Sequence, residues 1–222
     1  MLVQCCATKV PFQHSLKLTS CARFLTFGAN TMAGLSCSMH FNGRFVRHLA
    51  QFAADQGADL TELLAATART PEELAQEDCR LGPEAYNRFM EQAVAATGDP
   101  LFGLHAGASM NLVAAGLIVQ IAHTSATVGQ ALEFCCQFAN LGCSALPLAL
   151  KETGQEARLT LTPEPLWAEQ SPTAVEHTLW GYLAFTLREF ESLTHQRQRP
   201  LAVQVRFPPP ETPAQLIELE QV

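Results

Sequence analysis

The chain has 222 residues, enough for one large or two small domains with a sizeable hydrophobic core. With 48% hydrophobic and 16% charged residues, its composition is that of an ordinary globular protein. All 21 acidic residues lie in residues 55–222, together with nine of the 14 Lys and Arg residues. Because duplex-DNA binding needs clustered Lys and Arg, this acidic part is a poor DNA-binding surface, and any contact with nucleic acid needs another segment.

The helices of the first half are marked by spacing and by capping residues. Residues 40–57 place Phe41, Phe45, Leu49 and Phe52 on one helical face. Asp59 and Thr70 each precede a Glu by three positions, which is the signature of a helix start. Another helix is predicted to end at Gly98. Residues 40–100 are therefore predicted to be a run of short amphipathic helices.

In the second half of the chain, the spacing of the apolar residues changes from helical to alternating. Gly103 and Gly107 allow close backbone packing, and helical spacing continues through 112–123 and 127–142. The segments "ALPLALKE" and "ARLTLTPE" alternate on either side of "TGQ", which predicts a β-hairpin over 145–162. A helix over 171–193, a strand in "PLAVQVRFPPPE" and a last helix from Pro213 complete the prediction. The predicted fold class is α+β, with a helical N-terminal half followed by a small antiparallel sheet with a β-hairpin packed by helices.

Residues 1–38 differ from the rest of the chain. They contain no acidic residue and are rich in Ser, Thr and Cys, a composition that superficially resembles a transit peptide. A more regular sequence begins at Met39. We interpret residues 1–38 as an extension, disordered or added by a start codon assigned too early, and residues 39–222 as one domain that is truncated at its C-terminal end.

The eight cysteines form no C-x-x-C pair. Cys135, Cys136 and Cys143 lie within an apolar helical pattern, where cysteine acts as a small hydrophobic residue. We therefore expect buried, reduced thiols and a cytoplasmic protein rather than a metal or redox site. No apolar run approaches the roughly 18 residues of a membrane span, so we expect no membrane partner.

One short stretch, "GLIVQIAHTSATVGQAL", invites a catalytic interpretation, because His123 lies close to Ser125 and Thr127. A hydrolase nucleophile usually stands on a sharp elbow such as G-x-S-x-G, which this sequence lacks. Thr127 with Gln130 matches a capping box, and His123 then falls in the last turn of the preceding helix, where a partial positive charge is favourable. We therefore predict a joint between two helices, and His123 also remains a candidate to face a ligand.

Metal and nucleotide sites find little support in the sequence. The histidines form no H-x-x-x-H or H-E-x-x-H pair, and no G-x-G-x-x-G or P-loop motif occurs. We expect no cofactor and no metal. Aromatic residues on two predicted helices favour instead a small-molecule pocket, for which plain core packing is the alternative. Trp180 and Tyr182 cannot share a helical face. The predicted ligand-binding residues are His123, Phe134, Phe138, His177 and Trp180.

The order of these pieces resembles a known family. The phrase "GDPLFGLHAGASMNLVAAGLIVQIAHTSATVGQALEFCCQFANL", the hairpin at 145–162, the helix at 174–190 and "PLAVQVRFPPP" are similar to the N-terminal effector domain of AraC-type transcription regulators, in the branch called arabinose-binding-like. "SATVGQAL" matches a "T.G.AL" phrase of that family. "VRFPPPE" matches its last strand, with Pro208 where the family often has His. The similarity covers about residues 40–220.

The resemblance implies a ligand-sensing and often dimerising module of a bacterial regulator, not an enzyme. Its effector would be a small molecule such as an amino acid, a fatty acid or another metabolite. Complete members contact DNA through two C-terminal helix-turn-helix motifs, which are missing here, so this chain alone should not bind an operator. The alternatives are a small enzyme that uses His123 or His177 as acid or base, and a dimerisation module without a ligand.

Overall fold

The structure, a computed structural model, describes residues 2–6, 39–110, 117–153, 156–195, 202–205 and 207. Its helices are α1 (Gly43–Asp55), α2 (Leu60–Thr67), α3 (Pro71–Leu74), α4 (Pro83–Thr97), α5 (Phe102–Ser109), α6 (Leu117–His123), α7 (Val128–Phe138), α8 (Pro165–Gln170) and α9 (Pro172–Thr194). Its strands are β1 (Leu2–Cys6), β2 (Phe41–Asn42), β3 (Arg80–Leu81), β4 (Leu148–Thr153), β5 (Glu156–Leu161) and β6 (Ala202–Gln204). The predicted α+β class is confirmed.

The helix boundaries follow their capping residues. The Asp59 carboxylate accepts hydrogen bonds from the N–H groups of Thr61 and Glu62 at 2.7 and 3.2 Å. Thr70 forms a complete capping box with Glu73, in which each side chain accepts from the other residue's N–H. The fourth helix ends as predicted at Gly98, whose φ of +63° suits glycine. These local signals are confirmed.

The predicted hairpin is confirmed, and it belongs to a four-stranded antiparallel sheet in the order β4-β5-β1-β6. Leu150 pairs with Leu159 in the β4–β5 ladder. The turn at 154–155 and the predicted helix from Pro213 lie outside the described residues. A second sheet joins β2 to β3.

One strand comes from the N-terminal extension. Leu2–Cys6 lies between β5 and β6 as strand β1. It belongs to residues 1–38, which we interpreted from the sequence as an extension, disordered or added by a start codon assigned too early. The five residues LVQCC do not alternate strictly between apolar and polar side chains, so the sequence carried no signal for this strand. Residues 7–38 lie outside the described part of the chain.

An aromatic cluster forms the centre of the core. The rings of Phe41 and Tyr86 stack with centroids 3.7 Å apart, and Trp167 meets Phe41 edge-on at 5.1 Å. The Trp167 indole N–H donates to Asn87 Oδ1 at 2.8 Å, so its polar group is satisfied although the side chain is fully buried. This cluster ties β2, α4 and α8 together.

Helices α5 and α9 approach each other backbone to backbone. A Cβ atom on Gly103 would lie 1.9 Å from the His177 carbonyl oxygen, and one on Gly107 would lie 2.3 Å from that of Gly181. No side chain fits at these distances, so the close packing predicted for the two α5 glycines is confirmed. The contact fixes how α9 is rotated about its axis, and therefore which α9 side chains face away from α5.

Candidate ligand-binding site

On the side of α9 that faces α6 and α7, the structure contains a cavity of about 110 Å³. A water molecule needs roughly 10–15 Å³, so the cavity has room for several waters or for a small organic molecule. Its walls come from α1, α6, α7, β4 and α9, and include Phe45, Val119, Cys135, Leu148, Tyr182 and Phe185. They are predominantly apolar.

A second cavity, of about 60 Å³, adjoins the first. The two cavities share five wall residues, Val119, Cys135, Leu148, Phe185 and Thr186. The second extends between α7, β5 and the last turns of α9, as far as Glu189 and Leu193. We call the two together the channel. Its α9 wall runs from Gly181 to Leu193, which is roughly 18 Å along a helix axis.

The polar atoms of the first cavity are held in their neutral forms. Burial raises the pKa of Cys135 to about 11 and that of Cys143 to about 12. Burial also raises the pKa of Tyr182 well above its usual value, with a smaller contribution from Cys143 and Tyr86 nearby. The cavity therefore offers thiols and a phenol as weak hydrogen-bonding groups, not as nucleophiles.

Tyr86, which is fully buried, and Tyr182, which is partly buried, differ in their hydrogen bonding. The Tyr86 hydroxyl lies 2.7 Å from Thr178 Oγ1, in the packed core. The Tyr182 hydroxyl forms no hydrogen bond with any residue that the structure describes, although its side chain lines the first cavity. Tyr182 is thus a polar group available to a molecule in the channel.

The far end of the channel is acidic. Glu189, only 8% exposed, accepts from His123 Nε2 at 3.0 Å and from Arg188 Nη2 at 3.1 Å. Arg188 also donates to the Ala108 carbonyl oxygen at 2.6 Å, and its guanidinium lies 5.4 Å from the centre of the Phe185 ring. The His123–Glu189 contact joins the end of α6 to α9 across the second cavity.

The joint after α6 has the predicted form. His123 is in the last turn of α6, and the Thr127 hydroxyl accepts from the Gln130 N–H at 3.2 Å to begin α7. The Gln130 side chain accepts from the Ala126 N–H at 2.8 Å, one residue earlier than in a standard capping box. Ser125 is buried in this joint, and among the described residues its hydroxyl has no hydrogen-bond partner.

The five predicted ligand-binding residues occupy different surroundings. His123 reaches the channel through Glu189. His177 accepts from the Gly103 N–H at 3.2 Å and lies edge-on to Phe102, in the α5–α9 contact. Trp180 packs edge-on against Phe207, with ring centroids 5.2 Å apart. Phe134 and Phe138 pair with each other on α7. Their part in ligand binding stays a prediction.

The cavity walls are formed by residues that are close in the sequence to these five predicted residues. Cys135 lines the channel from α7 and Ala139 from the residue that directly follows α7, and Tyr182, Phe185 and Glu189 line it from α9. The α9 residues recur with the spacing of one helical face, so periodicity could have grouped them. The identity of the helix lying opposite that face could not be read from the sequence.

The described residues form neither a metal-binding cluster nor a helix that could span a membrane. Within the described ranges, no three His, Cys, Asp or Glu residues are grouped closely enough to hold a metal ion. Among the same residues, no helix has the length and apolar character needed to cross a membrane.

An α+β fold with an apolar cavity between helices is typical of small-molecule-binding domains. The family of the arabinose-binding domain found at the N-terminus of AraC transcription regulators matches residues 57–219, and the chain belongs to this family. It is therefore a ligand-sensing regulatory domain of the AraC type. A comparison with curated proteins found no match.

Proposed function

We propose that the chain senses a small-molecule effector by enclosing it in the channel between α6, α7 and α9. The single observation that supports this site is the pair of adjoining cavities, which share five wall residues and are lined mainly by apolar groups. Ligand sites are usually concave and apolar with a few polar groups, and Tyr182 and Glu189 supply those here. His123 contributes through its contact with Glu189.

The response to the effector is a change in the position of the α6–α7 pair relative to α9. A ligand shifts such an equilibrium only as far as it prefers one state over the other. The His123–Glu189 contact is the polar tie across the second cavity, so it distinguishes the two positions. An occupied channel and an intact tie together define the ligand-bound state.

Contact with DNA, in this proposal, belongs to a segment outside residues 55–222. Those residues hold every acidic side chain of the sequence, which argues against their approaching phosphates. The domain transmits its state within a cytoplasmic regulator, where buried thiols such as Cys143 stay reduced, and a second copy of the chain is its expected partner.

The test is a thermal-shift screen of amino acids, fatty acids and sugars, because a ligand that binds only the native state raises its stability. Any hit is then measured by calorimetry with Thr186→Leu, which fills the wall shared by both cavities. We expect the dissociation constant to rise at least about tenfold, a loss of roughly 1.4 kcal/mol.

The matched control is Thr173→Leu, the same change at an exposed position of α9, which should leave binding unaltered. A ligand whose binding survives Thr186→Leu lies elsewhere, and this result overturns the assignment to the channel. A chemical turnover that is abolished by His123→Ala would favour the alternative of a small enzyme.

A further inference from the structure

The described walls of the channel carry one charged side chain, and its charge is negative. Among the described residues that line its two cavities, Glu189 alone has a charged side chain. Neither Arg188 nor His123 belongs to these walls, although both contact Glu189. The thiols and the phenol of the walls are neutral, because burial raises the pKa of each. A molecule in the channel therefore meets apolar surface and one carboxylate.

The Glu189 carboxylate has unused capacity to accept hydrogen bonds. Each of its oxygens accepts one bond, Oε2 from His123 and Oε1 from Arg188. A carboxylate has about four lone-pair sites, so roughly two remain for a further donor. A hydroxyl or ammonium group can use them without displacing either partner.

A ligand whose end group is a free carboxylate is disfavoured in the same place. It brings a like charge beside Glu189, and it loses its hydration on entering an apolar channel. Arg188 is a poor compensating partner, since it lines neither cavity and its guanidinium is held by bonds to Ala108 and Glu189. Like charges placed together in a desolvated site cost several kcal/mol.

We infer that the effector is an elongated apolar molecule whose polar end carries a hydrogen-bond donor, a hydroxyl or an ammonium, which lies against Glu189. Free carboxylates of the same length are rejected. The length follows from the α9 wall, which extends roughly 18 Å from Gly181 to Leu193. This inference rests on the proposed function, because it takes the channel as the effector site.

The experiment compares octanol, octylamine and octanoate, which share one alkyl chain and differ in the end group, each below its micelle-forming concentration. Binding is measured by calorimetry on the whole chain near neutral pH. We expect octanol and octylamine to bind at least about tenfold more tightly than octanoate. In Glu189→Gln, the advantage of octylamine over octanoate should fall by at least the same factor, because the like charge is gone.

The matched control is Glu191→Gln, which removes an exposed carboxylate two residues further along α9 and should leave the order of the three ligands unchanged. Octanoate binding as tightly as the other two, or no change of preference in Glu189→Gln, overturns the inference. So does the failure of all three to bind.

Thr186→Leu separates this inference from the proposed function. If Thr186→Leu weakens a ligand but octanoate is preferred, the channel is the site and only the end-group assignment fails. If Thr186→Leu weakens no ligand that binds, the channel itself is not the site and both proposals fail together.

Discussion

Helix α9 separates two regions that are built differently. On one side, which we call the packed side, α5 meets α9 backbone to backbone, and α4 meets it through the hydrogen bond between Tyr86 and Thr178. On the other, which we call the cavity side, α6, α7 and β4 face α9 across the channel. Tight packing leaves the packed side one arrangement, whereas open volume leaves the cavity side room for a ligand. The difference assigns rigidity and binding to opposite faces of the same helix.

The largest expected difference in stability between the two sides comes from adding one methyl group to a glycine on each side. Gly103→Ala places Cβ 1.9 Å from the His177 carbonyl oxygen, so α5 and α9 must separate. We expect a loss of about 3 kcal/mol or more in the free energy of unfolding, measured by urea denaturation.

The control is Gly129→Ala on α7, where the nearest atom is the Glu152 carboxylate at 3.1 Å, the far end of an exposed side chain. Because alanine favours helix, stability should change by less than about 1 kcal/mol in either direction. Equal losses in the two variants would contradict the distinction between the two sides.

Acid should destabilise the packed side through His177. Burial lowers its pKa in the folded state to about 4, below its ordinary value of 6.5. The unfolded chain therefore binds the proton first, and stability is fully present above pH 6.5 and falls as the pH drops towards 4. The loss from this residue is about 3 kcal/mol at pH 4 relative to pH 7, followed by denaturation at several pH values.

His177→Asn keeps a hydrogen-bond acceptor for the Gly103 N–H and removes the titration, so it should flatten this dependence. A smaller slope remains from His48, whose pKa burial also lowers. His195→Asn, at an exposed position with φ of +54° that Asn tolerates, is the control and should keep the full slope. An unchanged slope in His177→Asn would show that other groups cause it.

The smallest expected effect comes from comparing Tyr86 with Tyr182. Tyr86→Phe removes the hydrogen bond to Thr178 on the packed side, and should lower the free energy of unfolding by about 1 kcal/mol. Thr178 still donates to the Ala174 carbonyl oxygen, which limits the loss. Tyr182→Phe removes a hydroxyl that has no partner among the described residues, and should change stability by less than about 0.5 kcal/mol. Equal losses in both variants would mean that Tyr182 is as tightly held as Tyr86.

Local signals made much of the fold predictable. The Asp59 and Thr70 caps, the glycine at residue 98 and the alternation around the hairpin depend on neighbours within a few residues, and each is confirmed. Strand β1 could not be predicted, since its partners are 150 or more residues away in the sequence.

The channel was less predictable, because a cavity is formed by side chains of several helices and strands that are distant in the sequence. Helical spacing showed that Trp180 and Tyr182 lie on different faces, but not which face meets α6 and α7. That choice depends on the rotation of α9, which the contacts of Gly103 and Gly107 fix in three dimensions. Glu189 was missed for the same reason, since its importance comes from lying at the end of a space formed by other helices.

The glycine contact between α5 and α9 has a mechanical consequence for the channel. Because the two backbones touch, α9 cannot slide or turn on α5 without a clash, and the two helices move as one piece. Tyr182 and Phe185 are carried on that piece. A substitution on α5 that shifts this pair of helices therefore alters the shape of a binding wall that it never touches.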